Sequence, residues 1–243
     1  MIFIVLSYFL FNILYQAPGC ELSYNINKNH SLRKLTNYPR TPGHDKLKKT
    51  TEEAIMSHPH SEKSALVVSA HSADFVWRAG GAIALHASQG YQVHIVCLSF
   101  GERGESAKLW RKGNMTEETV KQIRQQEAQA AADILGASVE FFDIGDYPLR
   151  ADKETLFRLA DVYRRVQPHF VLTHSLQDPY NYDHPMASNL AQEARIIAQA
   201  EGYRPGEKIV AAPPVYCFEP HQPEQCPWQP DVLLDITSVW EKK

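Results

Sequence analysis

Cysteine is scarce in this chain. Four occur in 243 residues, Cys20, Cys97, Cys217 and Cys226, and none stands in a C-x-x-C or zinc-finger spacing. That excludes a thiolate metal framework, and a chain of this length needs no disulfide scaffold. Cys97 and Cys217 lie inside apolar runs and read as buried thiols, which fits a reducing, cytoplasmic compartment. A strong charge of one sign is also missing. The net charge of -3 leaves no broad basic footprint for nucleic acid or for an anionic membrane. No internal repeat is apparent, and no apolar run is long enough for a membrane span. The N-terminal stretch Met1 to Tyr15 is strongly apolar but too short, and it lacks the basic start of a secretory leader, so secretion is the minority reading.

The chain instead carries the ordinary balance of a globular protein, 44% hydrophobic and 22% charged. Residues 1–55 read as a leader or extension: the apolar start gives way to a polar, aperiodic stretch from Glu21 to Ser64. The functional domain is expected over 56–243. It ends soon after Val239-Trp240-Glu241 without a long final helix, either truncated or finishing on the sheet. Strands are expected at Ala65 to Ala70, Tyr91 to Leu98, Ser138 to Asp143, His169 to His174, Pro214 to Glu219 and Val232 to Ile236. Helices are expected at Ala79 to Gln89, Thr116 to Leu135, Lys153 to Val166 and Pro185 to Glu201. Thr116 serves as an N-cap, Gly136 as a stop, and Pro185 sits harmlessly in a first turn. The alternation predicts an α/β fold: a Rossmann-like, mostly parallel sheet with helices on both faces.

Sites in such sheets form at the carboxyl ends of the strands, and the chemically useful side chains fall there. His71 and Asp74 follow the first strand of the domain, three residues apart and just ahead of Gly80-Gly81. Glu102, Arg103 and Glu105 follow the second strand, and Asp143 and Asp146 the third. His174, Asp178, Asp183 and His184 follow the fourth, and Glu219 and His221 the fifth. Imidazole and carboxylate together suit Zn²⁺, and three protein ligands leave a position open for chemistry. His71, Asp74 and His184 are the best three. Asp183 is placed to orient a ligand histidine.

Ala70-His71-Ser72-Ala73-Asp74 with Gly80-Gly81, Arg124-x-x-Glu127 before Leu135-Gly136, and Asn181-Tyr182-Asp183-His184 together resemble the PIG-L/LmbE-like family of zinc-dependent N-acetylglucosaminyl deacetylases. The resemblance runs from about Ala65 to Trp240. It implies the same zinc ligands, His71, Asp74 and His184. Two positions depart from the family pattern. The deacetylase general base is an aspartate at the position of Ala73, and the histidine that stabilises the oxyanion stands where this chain has Asn181. Amide hydrolysis needs both functions.

The segments His71 to Gly81, Gly101 to Ser106 and Phe218 to Gln222 are similar to a hydratase subgroup of that family. That similarity implies zinc-dependent addition of water to the double bond of 4-oxalomesaconate, a small unsaturated tricarboxylate of gallate and protocatechuate catabolism. With Ala73 unable to serve, Glu105 and His221 are the acid/base candidates, with Glu102 as the alternative to Glu105. Arg78, Arg103 and Asn181 are the candidates for substrate binding, with Arg111 and Lys112 near the same loops. A deacetylase using Asp143, Asp146 or a glutamate as base, and a non-catalytic metal- or sugar-binding module, are the competing readings. The sequence leaves a homo-oligomer open.

Overall fold

The computed structural model describes the backbone of residues 3–9 and, in full, residues 63–243. Ser64–Ser69 forms strand β2, every residue of which is buried. A strand covered on both faces belongs at the centre of a parallel sheet, and β2 takes that place. Its neighbours are β3 (Gln92–Cys97) and β5 (Phe170–Thr173), both parallel to it. Outside these lie β4 (Ser138–Phe141), parallel to β3, and β6 (Val215–Phe218), parallel to β5. The order is β4-β3-β2-β5-β6-β1-β7, where β1 is Phe3–Phe9 and β7 is Val232–Asp235. β1 pairs antiparallel with both β6 and β7, so seven residues of the expected 1–55 extension belong to the sheet. The remainder of that extension, and the expected boundary at residue 56, lie outside the described residues.

Side chains alternate across a strand, and β2 divides two cores accordingly. Ala65 and Val67 meet Ala82 and Ile83 of helix α1 (Gly80–Ser88), with Ala128, Ala132 and Leu135 of helix α3 (Glu117–Leu135). Leu66 and Val68 meet Leu159, Val162 and Tyr163 of helix α4 (Lys153–Val166), with Ala187, Ala191 and Ala194 of helix α5 (Asp183–Gln199). Helix α2, Ala107–Trp110, is a single turn in the loop after β3. Thr116 caps α3 as expected, its hydroxyl accepting from the Thr119 amide, and Gly136 ends that helix at φ 78°. Cys97 and Cys217 are buried free thiols. Among the described residues, no helix is long and apolar enough to cross a membrane.

Two local structures differ from the sequence expectation. A π-helical turn, Phe75–Ala79, precedes α1 and directly follows the His71–Asp74 pair. Helix α5 begins two residues earlier than Pro185. The Asn181 side-chain oxygen accepts from the Asp183 amide, and its backbone carbonyl accepts from the His184 amide. That winding brings His184 into the helix's first turn. The chain runs β2-β3-β4 toward one edge and then crosses to β5 on the other side of β2. The loops leaving β2 and β5 therefore diverge, opening a crevice at their carboxyl ends.

Candidate metal centre

Four side chains with possible donor atoms, from three segments, converge in that crevice. His71 and Asp74 leave β2, Glu105 comes from the loop after β3, and His184 from the first turn of α5. One donor atom of each lies within 4.8 Å of the others. The two histidines are fully buried, Asp74 nearly so, and the Glu105 side chain is 20% exposed. His71 Nδ1 lies 3.0 Å from Asp74 Oδ2 and 3.3 Å from Glu105 Oε1. Its other nitrogen, Nε2, lies 3.2 Å from Asp183 Oδ2. His184 presents Nε2 at 3.4 Å from Asp74 Oδ1, while its Nδ1 lies 2.8 Å from Asp178 Oδ2.

Each imidazole thus has one nitrogen turned to the cluster and the other tied to a carboxylate that accepts its N–H. This is the usual way a ligand histidine is oriented and its tautomer fixed. Asp183 is itself held, its two oxygens accepting from the Tyr147 and Leu149 amides. It takes the orienting place expected for it, behind His71.

The cluster fits a divalent metal on its own chemistry. His184 Nε2 is buried without any hydrogen-bond partner, and so is Glu105 Oε2. Unsatisfied buried polar atoms are rare and call for an explanation. Two imidazole nitrogens and carboxylate oxygens are a donor set suited to zinc. The electrostatics agree. Burial opposes the Asp74 charge, but the three imidazoles around it hold its pKa well below the ordinary range. Burial likewise opposes a charged His71, yet Asp74, Asp183 and Glu105 raise its pKa well above the usual value. A site that draws positive charge this strongly is matched to a bound cation.

A third histidine belongs to the site and was given no role from the sequence. His174, at the end of β5, accepts from the Ala70 amide at Nε2 and stacks on His184 at 4.1 Å between ring centroids. Burial, with His184 beside it, lowers its pKa to about 3, so it stays neutral. Its signal lay in its position one residue past a parallel strand. Asp178 was also left without a role. It is buried, its Oδ1 accepts from the Tyr180 amide, and its Oδ2 faces both His184 Nδ1 and, at 3.3 Å, His221 Nδ1. Burial works against its charge, but these two histidines hold it ionised.

A cavity of about 950 Å³ opens onto the cluster, lined by Ala73, Asp74, Arg78, Glu105 and His221 among others. The structure therefore brings Glu105 and His221 to one space, which Ala73 and Asp74 also line. The His221 ring lies nearly parallel to that of His184, 5.1 Å away.

Other sequence candidates fall elsewhere. Arg103 does not line the cavity: its guanidinium donates to the Asp146 carbonyl and pairs with Glu117. Asn181 is buried in the turn before α5, where its amide oxygen shapes the backbone around His184. Both were expected to bind substrate; in the structure each makes these local contacts. Glu102 is buried behind the loop, accepting from the Phe100 amide, with its pKa raised by burial. Asp146 accepts from the Arg103 and Gly104 amides, and Asp143 pairs with Lys121 at 2.7 Å. Neither lines the cavity as a replacement base.

A mostly parallel sheet with this crevice, carrying His-x-x-Asp and a distal Asp-His on one candidate metal cluster, defines the class. The chain belongs to the PIG-L family: the family model described as GlcNAc-PI de-N-acetylase matches residues 66–195. Within it, the chain is 79% identical over 196 residues to the 4-oxalmesaconate hydratase of Pseudomonas putida KT2440, covering 77% of this chain and 76% of that protein. It is 84% identical to the crystal structure of GalB, the 4-carboxy-2-hydroxymuconate hydratase of the same organism, at a TM-score of 0.73 over 74% of this chain and 75% of that one. The N,N'-diacetylchitobiose deacetylase of Pyrococcus horikoshii, 20% identical with a TM-score of 0.61 over 84% of this chain and 76% of that one, shares the fold.

Proposed function

We propose that the protein is a zinc-dependent hydratase that adds water to the double bond of 4-oxalomesaconate, giving 4-carboxy-4-hydroxy-2-oxoadipate in gallate and protocatechuate catabolism. The observation that carries this reading is the position of Glu105. With Ala73 beside Asp74, the segment after β2 carries no base, and Glu105 places a carboxylate oxygen 3.3 Å from His71 Nδ1 from a different loop. The names of the two Pseudomonas putida relatives agree with it.

His71 through Nδ1, Asp74 and His184 through Nε2 would hold the metal. When bound, it supplies Lewis-acid polarisation of the substrate's oxo and carboxylate oxygens. Glu105 takes a proton from the attacking water as its oxygen bonds to one alkene carbon. His221, with Nδ1 turned to Asp178, carries at Nε2 the proton delivered to the other carbon. One water is consumed: an O–H bond and the C=C π bond break, a C–O and a C–H bond form, the proton on Glu105 returns to His221 through solvent, and there is no net redox change. Arg78, half-buried at the cavity wall, binds a substrate carboxylate. Deacetylation is not favoured, since neither Asp143 nor Asp146 reaches the cavity. A cytoplasmic place of action fits the free thiols Cys97, Cys217 and Cys226.

The test is hydration followed as loss of the conjugated chromophore of 4-oxalomesaconate, with N-acetylglucosaminyl substrates in parallel. Glu105→Gln and His221→Gln should retain zinc and lose about 10²–10⁴-fold in kcat, whereas His71→Ala, Asp74→Ala and His184→Ala should lose zinc. Acetate release with an unchanged chromophore would sink the hydratase reading. Full activity of the Glu105 and His221 variants would remove their assignment.

A further inference from the structure

We propose that the short segment after Glu105, carrying Lys108, Arg111 and Lys112, is a carboxylate-recognition rim that makes this site selective for tricarboxylates. The inference rests on the hydratase reading and deepens it. The cavity is lined by five cationic side chains and three carboxylates. Asp74 and Glu105 belong to the ligand cluster, and Glu127 accepts from Arg124 at 2.6 Å. Arg78, Lys108, Arg111 and Lys112 are left without a carboxylate partner among the described residues.

Unpaired cations also occur singly elsewhere on the described surface, but here four of them line one cavity. The neighbouring cations that do not line the cavity are matched: Arg103 pairs with Glu117, and Lys121 with Asp143. Four unpaired cations around one void repel one another, and a metal adds to that field. An uncharged ligand such as an N-acetyl sugar relieves none of it. A trianion neutralises most of it, and guanidinium groups match carboxylates with paired N–H donors.

The rim is also anchored. Trp110 donates its indole N–H to the Glu102 carbonyl at 2.7 Å, and the Ser106 hydroxyl donates to the Gly101 carbonyl at 2.8 Å. Gly113 at φ 71° and Asn114 at φ 56° turn the chain away immediately afterwards. Glu105 and the three cations thus travel on one braced loop. The group that activates water and the groups that grip the far carboxylates keep a fixed spacing, as pre-organised recognition requires.

The experiment uses the full chain loaded with zinc and the triple variant Lys108→Gln/Arg111→Gln/Lys112→Gln. All three side chains are exposed at the cavity mouth, so the variant should fold, which circular dichroism checks. Two readouts are taken: kinetics with 4-oxalomesaconate, and binding of tricarballylate against succinate, followed by the fluorescence of Trp77 and Trp110. Tricarballylate is a saturated tricarboxylate that cannot be hydrated. The expected result is a KM about 10–100-fold higher, the loss typical of charge-assisted contacts, with kcat little changed, and loss of the preference for tricarballylate over succinate. Wild-type KM and an unchanged preference in the triple variant would overturn the rim while leaving the hydratase reading standing. If the wild type fails to hydrate 4-oxalomesaconate, the hydratase reading falls. The tricarballylate titration then decides the rim alone: preference lost in the variant supports it, and preference retained overturns it.

Discussion

Asp178→Asn is the substitution that most directly probes how the site is held together. The carboxylate accepts from the Tyr180 amide at Oδ1, and at Oδ2 faces Nδ1 of both His184 and His221. An amide is nearly the same shape but has one acceptor and one donor end. If its oxygen stays on the Tyr180 amide, its NH₂ meets His184 Nδ1 and forces the imidazole proton onto Nε2, the atom that faces Asp74. The ligand nitrogen is then blocked. If the amide flips, the Tyr180 N–H loses its partner and the turn leading into α5 loosens. Either way His184 is a poorer ligand. Loss of such an orienting partner typically weakens metal binding about 10–100-fold, which is about 1.4–2.7 kcal/mol. Zinc affinity measured by competition with a chromophoric chelator, alongside a circular-dichroism melt to establish folding, gives the number. His221 loses the same partner, so kcat at saturating zinc should also fall. A folded variant with wild-type zinc affinity and wild-type kcat would refute the claim that Asp178 fixes both tautomers.

Two further predictions concern the scaffold. Leu159→Ala in α4 empties a fully buried position packed under β2, and should cost about 2–5 kcal/mol in denaturant unfolding; a loss under 1 kcal/mol would mean that the helix collapses onto the gap. Glu140 on β4 is held below its usual pKa: burial opposes its charge, but a hydrogen bond from His94 and the charge of Arg165 outweigh it. A depressed folded pKa gives stability that is present above the unfolded value and lost as pH falls through the folded one. Glu140→Gln should therefore be less stable than wild type near neutrality, by no more than about 1 kcal/mol for so accessible a pair, and the gap should close in acid. A gap that persists below the folded pKa would show that packing, rather than charge, is at stake.

The central sheet, and the convergence of His71, Asp74 and His184 on one cluster, were legible from residue type and spacing. Val67 and Val68 sit in an unbroken apolar run, which only a strand buried on both faces accounts for, and His71 with Asp74 follows directly. His184 was reachable because sheet topology restricts where a third ligand can come from. The orienting groups were harder to see. Asp178 and Asn181 lie within a few residues of each other before α5, and both have side chains suited to ligand binding or to turn formation. Only the folded turn shows that Asn181 shapes backbone while Asp178 faces two imidazoles. Arg103 was hard to place for a similar reason: one residue from Glu102 and two from Glu105, it donates to the Asp146 carbonyl and pairs with Glu117. The strand at Phe3–Phe9 was hidden because an apolar start followed by a polar stretch has the same composition whether it pairs with a sheet or precedes one.

Under the proposed reading, the choice between hydrolysing an amide and hydrating an alkene turns on which loop carries the carboxylate. An aspartate at position 73 would sit one residue from a ligand, on the chain segment that also enters the π-helical turn. Its reach would be limited to oxygen bound close to Asp74. Glu105 approaches from the β3 loop, on the side where the cavity opens, and carries the cationic rim behind it. The proposed mechanism has a substrate seated in that rim react between Glu105 and His221, which line the same cavity. Ala73→Asp then becomes an informative reversal. It adds a third carboxylate beside Asp74 and Glu105 without restoring a donor at Asn181, so it should weaken hydration by crowding the cluster with negative charge and still release no acetate from N-acetylglucosaminyl substrates. Appearance of deacetylation on that single change would show that the base alone had been missing, and that neither the loop geometry nor Asn181 separates the two chemistries.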